Sequence, residues 1–85
     1  MLRLFFGAQL GPEKCADLVL SAREAAEQRL VELGAARAEL LEDTRLVADA
    51  PYVLLTIAAG EHSARAAITW ADEALRELAK LARGE

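Results

Sequence analysis

From Val53 onward, residues taken at alternating steps of four and three read Val53, Ile57, Gly60, Ala64, Ala67, Ala71, Ala74, Leu78 and Leu81. All are apolar or glycine. Only a helix gathers such a row on one face, and this one runs for about eight turns. Its middle is made of small residues, which lets another helix approach closely. The row one residue earlier reads Tyr52, Thr56, Ala59, Ser63, Ala66, Trp70, Glu73 and Glu77, apolar or mildly polar as far as the tryptophan. Two adjacent rows of this kind call for two packing partners, and a chain of 85 residues has about one to offer. The pattern points to self-association.

Length and composition agree. There is room for one small domain, so residues 1–85 are read as a single unit. Chains of this size bury only about 60% of the surface their unfolded form exposes and often depend on oligomerisation. Ala, Leu, Glu and Arg dominate, with two prolines, five glycines and few aromatics; these are helix formers with little strand or turn material. The net charge of −4 is spread along the chain without a basic patch, so nucleic-acid binding by this chain alone is not expected.

The single cysteine, Cys15, excludes an intramolecular disulfide and reads as a small buried hydrophobe. The opening Met-Leu-Arg-Leu-Phe-Phe is too short for a signal peptide and lacks a cleavage context. No apolar run reaches the ~20 residues a membrane span requires. A cytoplasmic protein without membrane contact is expected.

Residues 1–8 are apolar apart from Arg3 and stop at Gly7, which suggests a short N-terminal helix or an extended lead-in. Gly11-Pro12-Glu13 is a helix start: proline suits the first turn, and the acid meets the positive end of the dipole. From Pro12 one helical pattern runs to about Val47. Its best row is Val19, Ala26, Leu30, Leu33, Leu40 and Val47, interrupted by Arg23, Arg37 and Thr44. Gly34 inside it costs about 1 kcal/mol relative to alanine and marks either a bend or a close contact.

Asp49-Ala50-Pro51 starts the next helix, with Asp49 as N-cap. That helix continues to about Arg83, where Gly84 serves as a stop. Glu61 with Arg65, and Asp72 with Arg76, form i, i+4 pairs expected on its exposed side. A short connection makes the two long helices antiparallel neighbours of roughly 50 Å. The expected architecture is all-α: a short N-terminal helix, then a long antiparallel hairpin paired into a dimeric, coiled-coil-like bundle.

Chemistry is scarce. One cysteine and one histidine, His62, stand far apart, so no metal site is expected. Ser21 or Ser63 with His62 lacks any motif supporting nucleophilic catalysis. No glycine-rich phosphate loop is present, and no cofactor is expected. Glu39, Glu42 and Asp43 read as a solvated charge run. The chain does not read as an enzyme. Of the aromatics, Trp70 is read as an interface anchor or the wall of a pocket for a flat organic ligand.

Leu2-Arg3-Leu4-Phe5-Phe6-Gly7, then Pro12-Glu13, Pro51-Tyr52, Gly60 and Ile68-Thr69-Trp70-Ala71-Asp72-Glu73 stand in an order and spacing that resemble the C-terminal domain of PadR-type transcriptional regulators. The likeness to this virulence-activator-like region extends over essentially the whole chain. It implies a helical domain that dimerises and, in some members, helps to form a pocket for phenolic acids or other aromatic effectors, behind an N-terminal winged-helix DNA-binding domain. No winged-helix pattern precedes Leu2, which implies an excised domain or a stand-alone protein. The resemblance and the rows together nominate Phe5, Phe6, Tyr52, Ala59, Ser63, Ala66, Ala67 and Trp70 for a dimer interface or ligand site. The function expected is dimerisation and effector sensing. The rival expectation is a helical adaptor that binds another protein and senses nothing.

Overall fold

The computed structural model describes residues 10–43 and 48–84. Two long helices dominate it, α1 (Pro12–Glu42) and α2 (Ala50–Ala82). They pack side by side as an antiparallel hairpin, as expected from the periodicity. The short helix expected within residues 1–8 lies outside the described residues, as do Phe5 and Phe6.

Local chemistry explains the helix ends. Gly11 stands before α1 at φ 86°, a left-handed conformation open to glycine, and its carbonyl accepts the Cys15 N–H at 3.1 Å. Pro12 follows in the first turn, with Glu13 beside it. The far end of α1 departs from expectation: the helix stops at Glu42, not near Val47. Asp43 is extended, and its N–H closes onto the carbonyls of Glu39 and Leu40. Glu39, Glu42 and Asp43 crowd the negative end of the helix dipole, no base stands in the last turn, and Asp and Thr are weak helix formers.

Asp49 does occupy the position before α2, but its side chain makes no capping bond there; its carbonyl receives the N–H groups of Tyr52 and Val53 at 3.1 Å. Gly84, at φ 79°, ends α2 as the pattern predicts.

The inner face of α2 follows the seam read from sequence. Ile57, Ala64 and Ala71 are buried, and Gly60, Ala67, Ala74 and Leu78 are half-buried. Val53 and Leu81, at its two ends, are exposed. The face also extends one position further round, through Leu54, Glu61, Ile68 and Leu75, a row with a seven-residue repeat that periodicity left unassigned. On α1 the buried residues are Cys15, Val19 and Ala26, with Leu30, Leu33 and Leu40 half-buried.

Gly60, not Gly34, marks the close approach. A Cβ on Gly60 would lie 2.8 Å from Leu33 Cδ1, whereas one on Gly34 would meet nothing within 4 Å. This core is thin. Its buried members are small or medium-sized, and among the described residues no large side chain is fully enclosed. Full burial of a Leu or Ile side chain is worth about 1.5–3 kcal/mol, and the hairpin alone collects only part of that from its leucines.

Candidate functional site

Among the described residues, two ion pairs tie the helices together across the seam. They come from the two arginines that interrupt the apolar row of α1. Arg23 donates from Nε to Asp72 Oδ1 at 2.8 Å and also pairs with Glu27 on its own helix. Arg37 donates from Nη2 to Glu61 Oε1. Glu61 is only 8% exposed. Its carboxyl is held below the ordinary carboxylate range, chiefly by the hydrogen bond from Arg37, against the opposing effect of desolvation; Arg65 and His62 add weaker attraction. Arg37 and Arg23 are correspondingly raised, each by the hydrogen bond to its acid across the seam.

These contacts correct the sequence reading, which placed Glu61 with Arg65 and Asp72 with Arg76 on an exposed side. A hydrogen-bonded partner across the seam satisfies a carboxylate that the packing encloses, which a neighbour on the outer helix surface cannot do. The signal was present in the sequence. Charged residues that break an otherwise apolar stripe ask for opposite charges on the facing helix.

The opposite side of α2 holds most of the nominated residues. Tyr52, Thr56, Ala59, Ser63, Ala66 and Trp70 are all exposed along one strip. Tyr52 is 72% and Trp70 38% accessible. Leu55, 68% exposed and three residues beyond Tyr52, joins them on the same side and was not singled out by the row. The Thr56 hydroxyl donates to the Tyr52 carbonyl at 3.1 Å, so it needs no outside partner and is compatible with an apolar contact. Ala67 belongs to the inner seam, where it is half-buried.

Between Tyr52 and Trp70 the strip carries no charge, and Glu73 ends it. This is an apolar strip on the far side of α2 from α1. A hairpin cannot cover it with its own second helix.

The remaining candidates are dispersed. Ser21, His62 and Ser63 are exposed, and Glu39 and Glu42 lie on the surface of α1. Cys15 is buried, as its reading as a small hydrophobe requires. Among the described residues no group of three or more His, Cys, Asp or Glu is placed to hold a metal ion. No helix among them is long and apolar enough to cross a membrane.

Comparison with known proteins gives one family. The model described as virulence activator alpha C-term matches residues 1–79, a span that takes in α1 and all but the last residues of α2. No curated protein and no solved structure matches significantly. With a thin hairpin core, a strip of aromatics and small residues on its outer side, and a family match over nearly its whole length, the chain belongs to the virulence activator alpha C-terminal family, the C-terminal domain of PadR-like regulators.

Proposed function

We propose that this domain dimerises through the outer strip of α2 and senses a small aromatic effector beside Trp70, within a cytoplasmic PadR-like transcriptional regulator. It works without catalysis and without a cofactor of its own. The observation that carries the reading is the exposed, uncharged row from Tyr52 to Trp70 on the side of α2 that the hairpin leaves open.

Surface area supports a second copy as its cover. The chain exposes 6527 Å², whereas a compact folded protein of this mass exposes about 4,900 Å². The excess of about 1,600 Å² exceeds the roughly 800 Å² each partner gives up in a standard interface. The small residues Ser63 and Ala66 leave room beside the Trp70 indole for a flat ring. A ligand that prefers one arrangement of the dimer would shift the spacing of attached DNA-binding domains, and half-site spacing must match the dimer.

Titration of the protein with a panel of phenolic acids, read by Trp70 fluorescence, tests the sensing half. A saturable change with at least one compound is expected. A flat response across the panel, together with tight binding to an unrelated helical protein, would replace effector sensing with the role of an adaptor.

A further inference from the structure

Between the helices, the seam on α2 is uniform. Gly60, Ala64, Ala67, Ala71 and Ala74 line its middle, and residues of one small size at helical spacing offer much the same surface after a slide of one turn. Four charged side chains break that uniformity. Arg23 bonds Asp72 at 2.8 Å and Arg37 bonds Glu61, both across the seam. Glu61 is buried and the other three are half-buried.

We propose that these two pairs fix the register of the hairpin, so that α1 and α2 move as one arm and do not slide along each other. The residues around each pair carry the inference. Glu61 and Asp72 are each followed four positions later by an arginine, Arg65 and Arg76. A four-residue slide in that direction faces Arg37 with Arg65 and Arg23 with Arg76, like charges in both places. The same slide the other way faces Arg37 with Ile57 and Arg23 with Ile68. Slides of three residues offer Ala64 and Leu75, or Ala58 and Thr69. None of these registers sets an acid opposite either arginine.

Glu61 is as particular about its place. Opposite Arg37 in the structure, it comes to Leu40 or Leu41 when the helices slide one way and to Leu33 or Gly34 when they slide the other. A carboxylate enclosed by packing and left without a donor is costly, and a polar group set into an apolar seam specifies register at some expense in stability. Leu33, seated at Gly60, is another feature of the seam tied to one position, and it is the rival that an experiment must separate from the ion pairs.

Spin labels on Gln28→Cys and Lys80→Cys, two exposed positions, read the register in a Cys15→Ala background. Labelled chains are diluted with unlabelled ones, so that only distances within a chain count. The parent seam should give one narrow distance distribution; two maxima would overturn the proposal. In a first variant the acids and arginines of α2 change places: Glu61→Arg with Arg65→Glu, and Asp72→Arg with Arg76→Asp. Charge is conserved, and the register that pairs both arginines of α1 now lies one turn away. Reaching it draws position 80 closer to position 28 along the rod by about 6 Å, so the distance should shorten. An unchanged distance would assign the register to the Leu33–Gly60 contact and overturn the proposal. In a second variant, Arg23→Leu, Arg37→Leu, Glu61→Leu and Asp72→Leu make the seam apolar throughout, which keeps the hairpin folded even if the exchange does not. Its helix content by circular dichroism should match the parent's while the distance distribution broadens or splits by a turn. A single distance equal to the parent's would overturn the proposal in the same way.

Discussion

Single residues carry the most direct consequences. In the proposed dimer Trp70→Ala removes the largest side chain of the outer strip, and truncating an aromatic anchor of an interface costs about 2 kcal/mol or more. The dimer constant should weaken by that amount while helix content stays nearly unchanged. An unaltered dimer constant with a large fall in unfolding stability would assign Trp70 to the interior of one hairpin.

Glu61 tests the seam. Its carboxyl titrates below the ordinary range in the folded chain because Arg37 bonds to the charged form. The stabilisation is therefore complete above the usual carboxylate value of about 4.3 and is lost as the pH falls through the lowered folded value. Glu61→Gln should lower the melting temperature by a few degrees at pH 7, and the two proteins should converge on acidification. A variant that melts at or above the parent at neutral pH would show that the pair gives no net stability.

At the scale of the helices, the two interior glycines should behave differently. Gly34→Ala adds a methyl in open space and should stabilise α1 by about 0.5–1 kcal/mol. Gly60→Ala gains the same propensity but drives its methyl onto Leu33, so its melting temperature should fall short of that of Gly34→Ala. Equal gains from both would mean that the seam is looser than its geometry. Ala71→Leu fills a position with no exposed surface and should cost roughly 1–3 kcal/mol by overpacking, measured by thermal or denaturant unfolding.

The helices themselves were legible in sequence because a sustained period of 3.6 has few other meanings. Pro12, Pro51 and Gly84 marked three of the ends. The fourth was not legible: apolar residues at Leu46 and Val47 carry the periodicity past Glu42, while the acids that oppose the dipole act only on the end that exists. Ion-pair partners were misread for a related reason. The i, i+4 rule sees only one helix, and Arg23 and Arg37 found their acids on the other.

The whole molecule is a rod of 57 × 19 × 16 Å with a radius of gyration of 17.5 Å, against about 12 Å for a compact domain of this length. Such a shape follows from two helices of more than thirty residues with nothing else among the described residues to fold over them. It leaves Tyr52, Leu55 and Trp70 in contact with water, and the second apolar row signalled this vacancy from sequence alone. What no single sequence displays is the occupant, because burial against another molecule leaves the same pattern whatever that molecule is. If a second copy of the chain covers the strip, as proposed, sedimentation equilibrium at low micromolar concentration will register it. A species of twice the 9.2 kDa chain mass is expected, and a stable, well-folded monomer at that concentration would contradict dimerisation.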